Sequence, residues 1–178
     1  MALAIDRLPS QAAEDADLLG QLVVLINDAY TVAEQGLWLT GVERTDFEQT
    51  SAAIAGGRVL VGRVDGVLAG TVQTQEVEGS CISFGTLAVE AAFSGQGVGS
   101  ALVRQVEMDA VAVGARFTRL EVLVAEPIHL HLERLAAWYS RLGYREIGRT
   151  GLDPISPHEV PFLRRACEVA VLETAVPA

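Results

Sequence analysis

Lysine is absent from this 178-residue chain: all 13 basic residues are Arg, set against 23 Asp/Glu for a formal net charge of −10. Binding to a phosphate backbone needs a basic face that releases counterions, so this balance argues against a nucleic-acid partner. Cysteine is scarce as well. Cys81 and Cys167 lie far apart and form neither a CxxC pair nor a Cys/His cluster, so neither a zinc site nor a disulfide framework is indicated, and no metal is expected. Long apolar runs are missing too. The stretch Leu18 to Ile26 is broken by Gly20 and Gln21, well short of the roughly 18 residues that span a bilayer, so no membrane partner is expected. The first ten residues carry Asp6 and Arg7 and lack a basic start followed by an apolar run. No signal peptide is therefore expected, and a cytoplasmic location with reduced thiols is the reading that follows.

What is present fits an ordinary folded chain, with 50% hydrophobic and 20% charged residues and a length typical of one domain. A chain of this size buries roughly 70% of the surface its unfolded form exposes, enough for a core without staples. The acidity is uneven. Residues 1–93 hold 13 Asp/Glu against 4 Arg, so the first half would attract a cation rather than a phosphate.

Along the chain the pattern is mixed α and β without repeats. Leu3, Ile5 and Leu8 predict a short first strand, and Leu18, Leu22, Leu25, Ile26 and Ala29 predict a helix from about Asp15. Thr45-Asp46-Phe47-Glu48 reads as a capping box that starts a second helix, which Gly56-Gly57 can stop. Arg58 to Val64 and Val67 to Gln75, joined by Asp65-Gly66, predict a hairpin, and Ser80 to Val89 a third strand after the polar turn Glu76 to Gly79. Thr118 to Ala125 alternates as a buried strand would; Leu132 to Leu142 is a predicted helix, Tyr144 to Gly148 starts another strand, and Ala166 to Leu172 a last one.

Residues 84–113 carry the most specific pattern. Phe84 to Val89 is a strand, Ser94-Gly95-Gln96-Gly97-Val98-Gly99-Ser100 a glycine-rich turn, and Leu102, Val103, Val106, Ala110 and Val113 one stripe of a helix. Strand, glycine loop and helix make a phosphate cradle, because free amides at the positive end of a helix can take hydrogen bonds from a pyrophosphate. The stretch matches neither a Rossmann fingerprint, since Ser100 stands where a third Gly is needed, nor a Walker loop, which requires Lys.

The stretch resembles the acetyl-CoA binding motif of the GNAT superfamily of N-acetyltransferases, Arg/Gln-x-x-Gly-x-Gly/Ala, with Gly97 and Gly99 in the glycine positions and Ser94 in place of the Arg or Gln; a shifted register, Gln96 to Gly99 to Ala101, also satisfies the pattern but moves the loop relative to the strand. A second segment, Leu135-Ala136-Ala137-Trp138-Tyr139-Ser140-Arg141-Leu142-Gly143-Tyr144, is similar to that family's Ala-x-x-Phe/Leu-Tyr-x-x-Leu-Gly-Phe, with Leu135 replacing the first Ala. The two segments lie within residues 84–149, about a third of the chain. The resemblance implies an α/β (α+β) fold spanning residues 1–178 as one domain: a mixed, mostly antiparallel sheet flanked by helices and splayed at the cofactor site. It implies acetyl-CoA as cosubstrate, held by Leu87, Ala88 and Val89 and by the loop from Ser94 through Gly95, Gln96, Gly97, Val98 and Gly99 to Ser100. It implies transfer of an acetyl group to an amine of a small molecule or peptide, with Tyr139 as general acid toward the departing sulfur. A CoA-binding module without catalysis is the competing reading, and homodimers are common in the family.

The base and the acceptor wall rest on less. Glu121, on the strand before the Tyr139 helix, is the candidate base, beside His129 and His131 in the following loop; Glu76 and Glu78 read as solvated turn residues. Asn27 to Arg44 would wall the acceptor, with Tyr30 and Trp38 as apolar surface, Glu34 or Glu43 facing a cationic amine and Arg44 a carboxylate. Trp138 reads as a structural or surface aromatic on another face of its helix, and both cysteines as packed.

Overall fold

The computed structural model describes residues 2–77 and 80–177. Seven strands form one sheet: β1 Leu3–Arg7, β2 Val59–Val64, β3 Val67–Val77, β4 Cys81–Val89, β5 Phe117–Ala125, β6 Arg145–Gly151 and β7 Cys167–Ala175, in the order β1-β2-β3-β4-β5-β7-β6. Only β4 and β5 run parallel, as expected of a mostly antiparallel sheet. They pair over Cys81–Ser83 against Phe117–Arg119 and then part. Four helices cover the sheet: α1 Ala16–Ala33, α2 Phe47–Ala55, α3 Val98–Ala112 and α4 Leu130–Arg141.

The central strands read as apolar on both faces because helices cover both. On β2, Leu60 joins the core under α3 and α4, with Leu102, Val106, Leu120 and Tyr139, while its neighbours Val59 and Val61 pack with Leu19, Leu22 and Ile54 from α1 and α2. Successive side chains on a strand point to opposite faces, so one run of valine and leucine serves two cores. The Asp65-Gly66 turn takes φ 48° and 85°, the left-handed geometry a two-residue hairpin requires.

Several expected boundaries shift for local reasons. The cap of α2 is Asp46, whose Oδ1 accepts from Gln49 N at 2.7 Å, and not Thr45, whose buried hydroxyl meets Thr50 Oγ1 at 3.0 Å instead of a helix amide. Replacing Asp46 with Ala should therefore lower stability by about 1 kcal/mol, read as a shifted denaturation midpoint with activity unchanged, whereas no shift would return the cap to Thr45. Helix α4 begins before the predicted Leu132, so His129 is its N-terminal cap residue and His131 lies in its first turn, not in a loop. The last strand runs past Leu172 to Ala175, and its charges find partners: Arg119 pairs with Glu173 at 2.6 Å and Arg149 with Glu168 at 3.4 Å. Glu76 is exposed near the end of β3, and Glu78 lies outside the described residues.

Beyond the three-residue β4–β5 pairing, β4 carries a bulge. Thr71 pairs with Ala88 and Gln73 with Gly85, so Thr86 and Leu87 stand opposite Val72 alone, and Thr86 takes φ 51°, unusual for a β-branched residue. The bulge lies where the two parallel strands diverge.

Candidate active site

Between the diverging strands opens a cleft of about 1130 Å³. Its upper wall is the glycine loop. Gly95 and Gly97 have φ 74° and 86°, and a Cβ at Gly97 would meet nothing within 4 Å, so backbone angle rather than space demands glycine there. Gly97 is the N-cap of α3 and offers no side chain, and the first helical amide to find a partner is Ala101 N, bonded to Gly97 O at 3.0 Å. The amides of Val98, Gly99 and Ser100 therefore have no protein acceptor among the described residues. No acidic side chain occupies the first turn of α3 to compete for them. A pyrophosphate fits such a cradle: donors converge at the positive end of a 15-residue helix without side chains in the way. Ser94, Gly95, Gly97, Val98, Gly99 and Ser100 all line the cleft, while the Gln96 amide turns back to Ala92 O at 2.9 Å. Leu87, Ala88 and Val89 line it from β4.

The facing wall is α4. Tyr139 is buried, its ring centroid 6.2 Å from Phe84, 5.8 Å from Tyr144 and 4.7 Å from Trp138. Burial, with Tyr30 and Tyr144 nearby, pushes its phenol far above the ordinary range. Its hydroxyl makes no hydrogen bond among the described residues, in contrast to Tyr144, which bridges Thr118 Oγ1 at 2.9 Å and Glu107 Oε1 at 3.0 Å. Tyr144 is a packed structural tyrosine; Tyr139 faces the cleft with an uncommitted proton. Of the two readings of Trp138, structural or surface, the packing supports the structural one. Its indole lies 3.7 Å from where a Gly99 Cβ would stand, so it fills the space that glycine leaves and joins the cleft lining. Sequence spacing could not reveal this, because the partner position belongs to another helix.

On the opposite side of the sheet, buried Glu34 and half-buried Tyr30 and Arg44 form one cluster. Arg44 lies over the Tyr30 ring at 4.8 Å and its Nη1 stands 3.6 Å from Glu159 Oε1. Burial opposes its charge, but Tyr30, Glu34 and Glu159 outweigh that and hold its pKa above the ordinary value. Burial likewise raises the Glu34 carboxyl, against the pull of Arg44 and of the Trp38 indole N–H that donates to it. These three residues divide the main cleft from a second cavity of about 230 Å³, and Trp38 lines only that second one. Glu159, the partner of Arg44, is a residue the sequence reading missed; no local signal ties it to residues 27–44.

Glu121 is exposed on β5 and lines the cleft. His131 also lines it, with a pKa lowered by burial and by His129 and Arg134. His129 instead bonds Gln35 O at 3.1 Å. Burial raises both Cys81 and Cys167, so each is held as a thiol. Among the described residues there is no cluster of three metal-ligating side chains and no helix long and apolar enough to cross a membrane.

Residues 55–146 match the family model described as the acetyltransferase (GNAT) domain, a span that holds the hairpin, the glycine loop and Tyr139. The chain belongs to the GNAT acetyltransferase family. The GNAT fold is shared with solved structures of low sequence identity. The paia N-acetyltransferase of Thermoplasma acidophilum, in complex with coenzyme A, aligns with TM-score 0.72 and 13% identity over 98% of this chain and 99% of that one. The yncA protein of Salmonella typhimurium, with its cofactor acetyl-CoA, gives 0.66 and 13% over 100% and 96%. The ribosomal-protein-S18-alanine N-acetyltransferase of Escherichia coli gives 0.64 and 16% over 99% and 96%. No curated protein matches the sequence of this GNAT chain closely enough to count as a relative.

Proposed function

We propose that this acetyltransferase moves an acetyl group from acetyl-CoA to an amine of a small molecule or peptide, with residues 1–178 acting as one domain. The observation that carries the reading is the row of unpartnered amides at the start of α3, across a cleft from an uncommitted Tyr139 hydroxyl. Acetyl-CoA brings the acetyl group as a thioester. The amides of Val98, Gly99 and Ser100 would hold its pyrophosphate, and the main chain of Leu87–Val89, left without a β5 partner above Ser83, would hold the pantetheine arm like an added strand. A backbone amide near Val89 would stabilise the negative charge that grows on the carbonyl oxygen as the amine adds. As the carbon–sulfur bond breaks, Tyr139 donates its proton to the leaving sulfur, and the proton released by the amine passes to Glu121.

The cleft carries Asp28, Glu34, Glu90 and Glu121, while two of its arginines are already engaged: Arg44 with Glu159, and Arg58 through Nη2 with Ala52 O at 3.3 Å. That balance favours a cationic amine acceptor. Titration with acetyl-CoA, free CoA and ATP, followed by thiol release with polyamines, aminoglycosides, neutral amines and amino acids, tests the reading. Selective CoA binding with fastest turnover of the polycations is expected. At 100 times its dissociation constant acetyl-CoA should add about 2.7 kcal/mol of stability. Absence of binding at millimolar acetyl-CoA would sink the proposal, and binding without turnover of any acceptor would favour a CoA-binding module. Glu121→Gln should lower kcat/KM while leaving CoA affinity unchanged; if His131→Asn does so instead, the base is the imidazole, whose lowered pKa favours the neutral, proton-accepting form at pH 7.

A further inference from the structure

The glycine loop has no basic side chain of its own, since Ser94 is exposed where the family's motif has Arg or Gln. A diphosphate needs some charge opposite it, since helix amides and dipole supply only partial positive charge. Three guanidinium groups line the cleft: Arg44, Arg58 and Arg134. Arg44 is paired with Glu159 and Arg58 bonds the end of α2, both away from the glycine loop. Arg134, a long and exposed side chain, makes no ion pair and no hydrogen bond among the described residues.

Its position on α4 directs it. Residues four apart on a helix lie one above the other on the same face, so Arg134 and Trp138 share a stripe. Trp138 rests against Gly99 in the first turn of α3, which places that stripe opposite the cradle amides, and both residues line the same cleft as Ser94 through Ser100. We propose that Arg134, reaching across from α4, is the phosphate-binding cation of this protein and takes over for the missing basic residue at position 94, with the pyrophosphate of acetyl-CoA held between it and the α3 amides. The assignment rests on the acetyl-CoA reading above. It changes the architecture of the site: the charge comes from the facing helix instead of the loop, so the two walls of the cleft are bridged through the ligand.

The test is calorimetric titration of wild type, Arg134→Gln and the double variant Ser94→Arg/Arg134→Gln with CoA, dephospho-CoA and pantetheine. A charge-assisted contact predicts about tenfold weaker binding of both CoA and dephospho-CoA by Arg134→Gln, since both keep the pyrophosphate, with pantetheine unaffected. Adding Arg at position 94 should restore most of the loss. Equal weakening toward pantetheine would mean that Arg134 only shapes the cleft; weakening toward CoA alone would place it on the 3′-phosphate. Either result, unchanged affinities, or no rescue from position 94 overturns the proposal. Failure of wild type to bind CoA would instead overturn the acetyl-CoA reading beneath it. The unliganded unfolding midpoint of Arg134→Gln should match wild type, because the side chain is exposed and unpaired.

Discussion

Tyr139→Phe should lower kcat by about 100-fold or more while leaving the dissociation constant for CoA nearly unchanged, the range expected when a positioned general acid is removed. The expectation comes from the state of the hydroxyl. Tyr144, in direct ring contact with it, spends its proton on Glu107 and accepts from Thr118, whereas Tyr139 has no hydrogen-bond partner among the described residues and opens on the cleft. Deleting an oxygen that bonds nothing costs the fold about 1 kcal/mol or less, so loss of activity without loss of stability separates catalysis from packing. The pH profile supplies a second reading. Burial raises the Tyr139 phenol above the ordinary value of 10.0, so it keeps its proton throughout the range in which enzymes are assayed. Its deprotonation should therefore produce no alkaline fall in kcat below pH 10.0. Full activity of the Phe variant would assign the tyrosine to the core with its aromatic neighbours.

Gly70→Val should destabilise the protein by about 3 kcal/mol, among the larger effects available from a single added side chain. A Cβ at Gly70 would come within 2.9 Å of Ala88 O and 2.9 Å of Val98 Cγ1. One is backbone beside the β4 bulge, which cannot rotate away, and the other is a methyl of the buried first residue of α3, closely surrounded by the core. The insertion would push the start of α3 from the sheet and carry the cradle amides with it, so CoA affinity should fall together with the unfolding midpoint. The same substitution at Gly66, whose Cβ would meet nothing within 4 Å, strains only φ. A Gly70 variant of wild-type stability would mean that β3 and α3 are less closely apposed than these contacts require. Cofactor binding in this reading depends on a strand residue that touches no ligand.

Features encoded in contiguous residues could be read directly. The Asp65-Gly66 hairpin, the glycine loop before α3 and Gly143 at the end of α4, with φ 99°, each announce a backbone geometry that few other residues adopt. Features that depend on competition between distant groups could not. Thr45 yields the cap of α2 to Asp46, and its hydroxyl meets Thr50, a residue inside that helix. Trp138 sits one residue from Tyr139 and the spacing sends it to a different face, but Gly99 on another helix leaves a space that draws the indole inward. The cluster from residues 30–44 followed the same rule: Tyr30, Glu34 and Arg44 were legible as a group, whereas Glu159, which joins them from beyond β6, was not.

The place of β7 in the sheet orders the events of folding. β1 to β4 follow one another in both chain and sheet order, so all of that half's strands are present before β5 is made. The other half is ordered differently. β5 touches β4 over three residue pairs, and β6 pairs only with β7, so both wait for the last strand to insert between them. The helix bearing Tyr139 leans on that late half, while the glycine loop belongs to the early one. The ribosome thus delivers the glycine loop and α3 well before it delivers Tyr139 on the facing helix, and the two walls of the cleft meet only when the final strand is in place.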